Sequence, residues 1–283
     1  MGPDDYAESK TLSRFVVRAT PVLRIAVPAS GFIVGGTFVA VGLQLGVIHF
    51  PGLDPTQYYA PAGDAFRSGG DPYRLLPDGT AFFYAPPWAA VFALVPSAAA
   101  ITVLIYAANV LALRYMAGSW LAIGYLCWFP LVPWEAFVGN VNILMTAAIV
   151  AACREQTWPA VAMALAKFSP ALAISPGRWR SAGIALGVSV LLTLPRLDLW
   201  PVWVERVWWA TAHPLGPLVP VPFLVRLPFA LALIAWQRPW SRALGAALAT
   251  PSFYWVSFVM FVAPLVVFLR RGGFSSAHAP ARR

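Results

Sequence analysis

The chain has 283 residues, 59% of them hydrophobic and 11% charged, with a mean hydropathy of +0.69 and a formal net charge of +9. Soluble domains carry roughly 25% charged residues, so this composition excludes a soluble domain and points to an integral membrane protein built from helices. The distribution of the positive charge argues against a nucleic-acid partner: Lys10, Arg14, Arg18 and Arg24 precede the first apolar run, Arg270, Arg271, Arg282 and Arg283 follow the last, and Arg114, Arg154, Arg178, Arg180, Arg238 and Arg242 lie in short connections, as cytoplasmic loops do.

Residues 1–22 read as a cytoplasmic basic arm. The apolar stretch over about 23–50 is too long for a signal-peptide core and is expected to stay as a signal anchor. An outside loop follows over 51–84, and residues 85–95 are too short to span and are expected at the interface. Spans are expected at 97–116, 119–135 and 138–153. Residues 157–176 are expected to form a hairpin of half-helices turning near Lys167, with Pro170 and Pro176 beyond the turn. A span at 181–195, an outside loop at 196–220 and a span at 221–237 come next. The stretch 243–269 reads as a pair of short helices around Thr250-Pro251-Ser252. The fold class expected is therefore an all-α polytopic bundle of about ten spans, one membrane domain over 23–270 with a basic tail at 271–283 and both termini cytoplasmic. Cys127 and Cys153 fall in apolar segments without metal-ligand spacing and read as core residues.

On this map Asp54, Asp64, Asp71, Asp78, Glu135, Asp198 and Glu205, seven of the chain's eleven acids, lie outside. Any chemistry is expected to face the periplasm or exterior. Asp54-Pro55 has the form of a helix start, aspartate capping free N–H groups and proline at the first helical position. Tyr58, Ala62, Ala65 and Phe66 share a helical face, Pro61 must distort the turn before it, and Gly69-Gly70 ends the element. Two readings of Asp54 stand together: the cap of an interfacial helix, with its pKa lowered by the helix end, or a general base.

An aspartate after the first span, four and five residues before Tyr58-Tyr59, and an amphipathic segment ending in Gly69-Gly70-Asp71-Pro72-Tyr73 resemble glycosyltransferase family 87. Phe83-Tyr84-Ala85-Pro86-Pro87 is similar to the family's aromatic stretch ending in Pro-Pro. Gly139-Asn140-Val141-Asn142 is similar to its Gly-Gln-x-Asn between two spans, and Lys167-Phe168-Ser169-Pro170 to its Lys-x-x-Pro hairpin. The resemblance covers about residues 23–180. It implies a GT-C fold with interfacial helices after the first span, and a transferase of the cell envelope. Such an enzyme moves a sugar, mannose first among the candidates, from a polyprenyl phosphate to a glycolipid or glycan acceptor with inversion.

Under that resemblance Asp54 matches the base, with Asp64 as the fallback. Tyr58 and Tyr59 stand on the substrate side. The leaving phosphate needs positive charge or N–H donors. Lys167, ten residues past Thr157 and so about 15 Å along a helix, is the candidate for that role. Its alternative is a lysine that snorkels or caps the hairpin carbonyls. Arg226 and His213 are further phosphate candidates, and Arg226 reads equally as a snorkelling residue. Asn140 and Asn142 bind sugar hydroxyls or join helices; Glu135 and His49 stand near the acceptor or are structural. The tryptophans of LWPVWVERVWW read as an interfacial helix. No nucleotide loop, metal cluster or cofactor signature is present in the sequence, and the expected partners are the lipid-linked donor, the acceptor and membrane lipids. The alternative reading is a non-catalytic transporter or flippase of lipids or lipid-linked sugars.

Overall fold

A computed structural model describes residues 3–47, 54–76, 81–212, 221–250 and 255–272, and every element among them is helical. Helix α1 (Pro3–Gln44) carries an apolar window, Pro21–Gln44, of mean hydropathy 1.8. A widened turn, Pro55–Tyr59, leads into α2 (Ala60–Arg67). Pro61 has no N–H for the carbonyl of Gln57, so the turn before it opens and Ala60 N donates to Pro55 O instead. Next come α3 (Pro86–Ala93) and α4 (Ala98–Ala117). Ser97 Oγ caps the start of α4 by accepting from Ala100 N, and Gly118 at φ 86° closes its end.

The run after α4 differs from the single span expected over 119–135. It forms α5 (Ile123–Cys127) and α6 (Leu131–Val138), because Pro130 between them donates no backbone hydrogen bond. Helix α7 (Asn142–Cys153) then leaves α6 at 115° across Gly139-Asn140-Val141. The remaining helices are α8 (Thr157–Ala164), α9 (Trp179–Leu191), α10 (Leu199–Ala212), α11 (Phe223–Ala235), α12 (Pro239–Leu248) and α13 (Val262–Gly272). A bilayer core takes about 20 helical residues. Among the described residues, two helices are long and apolar enough to cross it, Pro21–Gln44 and Ala98–Ala117, or three spans if the bent pair α6–α7 counts as one. The other apolar segments form shorter helices than the sequence led one to expect, so the count of about ten spans exceeds what helix length supports.

Helix α7 is the centre of the core, with Ile143, Met145, Ile149 and Val150 fully buried beneath α4, α8, α12 and α13. Helix α1 docks on α5 through two glycines. A Cβ on Gly31 would lie 1.8 Å from Gly124 O, and one on Gly124 would lie 1.9 Å from Pro28 O. Backbones approach this closely only where both residues are small, and Trp128 Nε1 adds a 3.0 Å bond to Val27 O.

Candidate functional site

The site forms where four short segments meet around the α6–α7 break. Gly139 turns the chain at φ 80°, with Pro55 packed where its Cβ would stand, at 3.0 Å. This contact seats the turn after α1 against the break, although the two are far apart in sequence. Pro86 and Pro87 begin α3, and Ala85 N donates to Leu165 O at 2.7 Å while Trp88 Nε1 donates to Ala162 O at 2.9 Å. These bonds clamp the Tyr84 segment to the end of α8. Beyond α8 the chain turns through Lys167 into a 3-10 turn, Ser169–Ala173, where the expectation was a second half-helix.

A continuous set of hydrogen bonds joins the four segments. Asn140 Nδ2 donates to Asp54 Oδ2 at 2.7 Å, and Tyr59 OH donates to the same oxygen at 3.4 Å. The hydroxyls of Tyr59 and Tyr84 lie 3.1 Å apart. Asn140 Oδ1 accepts from Asn142 N at 3.0 Å. The Asn142 amide then bridges two ionisable residues: its Nδ2 donates to Glu135 Oε2 at 2.7 Å, and its Oδ1 accepts from Lys167 Nζ at 2.9 Å. From α4, Asn109 Nδ2 donates to Asn140 O at 3.1 Å and Tyr106 OH to Phe137 O at 2.7 Å, pinning the break from behind.

The expectation that Asp54 caps its helix is corrected. Asp54 is itself helical, at φ −59° and ψ −46°, and its side chain makes no capping bond. Its carboxyl turns instead to Asn140 and Tyr59. The expected lowering of its pKa is reversed accordingly: burial pushes the carboxyl up from 3.8 to about 6, against the opposing pull of the Lys167 charge and the hydrogen bonds from Tyr59 and Asn140. Among the described residues no carboxylate lies within 4.0 Å of Lys167 Nζ, and the hydrogen bond it makes there is the one to Asn142 Oδ1.

Comparison with protein-family models, with curated proteins and with solved structures finds no match. The functional reading therefore rests on the geometry.

Of the residues singled out in the sequence, the cluster gathers Asp54, Tyr59, Glu135, Asn140, Asn142 and Lys167. Tyr59 is 1% exposed and stacked on Phe92 at 4.9 Å, so it supports the carboxylate from beneath. Tyr58, its neighbour, is half-buried. Asp64 sits on the exposed face of α2, paired with Arg67 at 3.2 Å and turned to solvent. Arg226 donates to the carbonyls of Val221, Leu248 and Thr250, joining α11 to the end of α12. His49 and His213 lie outside the described residues. On α10, Trp203 Nε1 donates to Phe83 O at 2.9 Å, so this helix is tied beside the Tyr84 segment.

Two members of the cluster do not stand out in the sequence. Tyr84 is marked only as part of its motif. Asn109 carries no motif at all, although an amide inside an otherwise apolar span is a signal in its own right.

Proposed function

We propose that this chain is a multi-pass plasma-membrane glycosyltransferase of the GT-C type. It transfers a sugar, mannose first among the candidates, from a polyprenyl phosphate to a glycolipid or glycan hydroxyl at the outer face, with both termini cytoplasmic. One observation carries the reading: residues from all four family-like segments, Asp54 and Tyr59, Tyr84, Asn140 and Asn142, and Lys167, are linked in a single hydrogen-bonded cluster. In this mechanism Asp54 removes the acceptor's hydroxyl proton while the oxygen attacks the anomeric carbon. The carbon–oxygen bond to phosphate breaks, and its electron pair leaves with the lipid phosphate toward the Lys167 ammonium. A carboxylate with a pKa of about 6 is ionised at neutral pH yet basic enough to take up a proton. The anionic leaving group gains most from a cation held in a site of low polarity. The donor arrives through the bilayer already activated, so the reaction needs neither nucleotide nor metal.

The test uses purified protein in lipid nanodiscs, labelled polyprenyl-phosphate mannose and a lipid extract of the native host. Label is expected to enter a new glycolipid with wild type and to be lost with Asp54→Asn and Lys167→Met. Wild type that transfers no label, yet moves lipid-linked sugar across a vesicle membrane, would replace this reading with that of a transporter.

A further inference from the structure

We propose that Tyr84 is a positioning residue for Asp54 that acts through Tyr59, its hydroxyl donating to Tyr59 so that the single Tyr59 proton is committed to the carboxylate. Each phenol carries one proton and accepts through its oxygen. Among the described residues, the only hydrogen-bond partner of the Tyr84 hydroxyl is the Tyr59 hydroxyl, 3.1 Å away, and Tyr59 alone of the two reaches Asp54. Two proton orders are open to such a chain. If Tyr59 donated to Tyr84, the Tyr84 proton would have no acceptor among the described residues, and Asp54 would lose a donor. If Tyr84 donates to Tyr59 and Tyr59 to Asp54, every proton has a partner. Both rings are buried, at 8% and 1% exposure, where an unmade hydrogen bond is costly, so the second order prevails.

The rings have little freedom to adopt another arrangement. Tyr59 lies parallel to Phe92, with 4° between the planes. Tyr84 meets Phe82 edge-on at 5.2 Å and Trp88 at 6.4 Å, and the Ala85 N bond to Leu165 O fixes its backbone. Burial holds both phenols well above the usual tyrosine range, so they remain donors across the working pH range. The described groups that face Asp54 are Tyr59 on its own turn, Tyr84 before α3, Asn140 at the break, Glu135 on α6 and Lys167 after α8; α4 brings only the neutral Asn109 and Tyr106 to the break. Hydrogen bonds in series polarise one another, so Tyr84 strengthens the donor that Tyr59 presents to the carboxylate.

The consequence for sugar transfer rests on Asp54 being the reacting carboxylate, but the Asp54 titration is read without turnover. The experiment is infrared difference spectroscopy across pH on protein in nanodiscs, with the Asp54 carboxyl band identified by its loss in Asp54→Asn. Tyr59→Phe is expected to raise the Asp54 midpoint by about one pH unit. Tyr84→Phe is expected to raise it by about 0.3 of a unit, and to add nothing once Tyr59 is Phe. Replacing Tyr84 by 3-fluorotyrosine keeps the ring and sharpens the donor, so it should shift the midpoint the opposite way; this variant stands in should Tyr84→Phe fail to fold. A fall in the midpoint with Tyr84→Phe, no response to fluorination, or a Tyr84→Phe effect that survives in the double variant overturns the relay. Wild type that shows the coupling but transfers no label refutes the transferase reading and leaves the relay standing.

Discussion

Asn140 Nδ2 donates to Asp54 Oδ2 across 2.7 Å, although 86 residues separate the two in the chain. A hydrogen bond to a charged group contributes about 1.5–3 kcal/mol. Asn140→Ala is therefore expected to slow label transfer by about 10–100-fold, measured as the initial rate at saturating donor. Retention of the wild-type rate would mean that Asn140 does not hold the base.

Asn142 is the joint between Glu135 and Lys167. Asn142→Leu fills a similar volume but leaves both ionisable groups without their common partner, and each buried polar group left unsatisfied costs about 1–3 kcal/mol. A lower Tm together with loss of transfer is expected. Asn142→Asp, which still accepts from Lys167 but turns a charge toward Glu135, should also be less stable than wild type. An unchanged Tm in both variants would dismiss the joint.

Gly139 is constrained twice, by φ 80° and by Pro55, whose ring stands 3.0 Å from the place a methyl group would occupy. A non-glycine residue in left-handed backbone costs about 1–2 kcal/mol. Gly139→Ala is expected to lower stability by at least that amount and to part Asp54 from Asn140. The check is a double readout, Tm and the Asp54 titration midpoint, both of which should move.

The pH dependence follows from Asp54. Its carboxyl is raised from 3.8 to about 6, so folding favours the protonated form. That stabilisation is fully present below 3.8 and is lost as pH rises through about 6. Asp54→Asn, neutral throughout, is spared the loss. Its stability advantage over wild type should grow from about pH 4 to about pH 7 by roughly 1–3 kcal/mol. Transfer by wild type runs the other way, falling as pH drops through about 6, because the base must be ionised. A flat stability difference across this range would contradict the burial of Asp54.

Arg226 holds three carbonyls at the junction of α11 and α12. Arg226→Met is expected to lower Tm while leaving the KM for the lipid-linked donor within about twofold, since uniform donor binding would not be touched. A large rise in KM with an unchanged Tm would return Arg226 to the phosphate.

Much of this organisation is legible in the sequence because it rests on local rules. The turn at Pro55 and Pro61, the proline start of α3 and the Ser97 and Gly118 boundaries of α4 are each written in a few adjacent residues. The role of Asp54 is not of that kind. Local spacing makes it a cap, and only the contact of Pro55 with Gly139 turns its carboxyl toward Asn140. Helix count fails for a related reason. Hydropathy registers that a stretch is apolar, whereas Pro130 and the 115° break at Gly139 decide whether it is one straight helix.

The sequence by itself determined the class, a helical chain with very little polar surface, and the identity of most polar groups in the cluster, because composition and rare charges in apolar surroundings are properties of residues. The tertiary structure alone decided which of those groups act together. Asp54, partly buried, was joined to the cluster and Asp64 left at the surface, Arg226 was drawn to carbonyls, and Tyr84 and Asn109 were brought in. The reason is physical: burial and hydrogen-bond partnership depend on which distant segments pack together, and no local pattern along the chain encodes that.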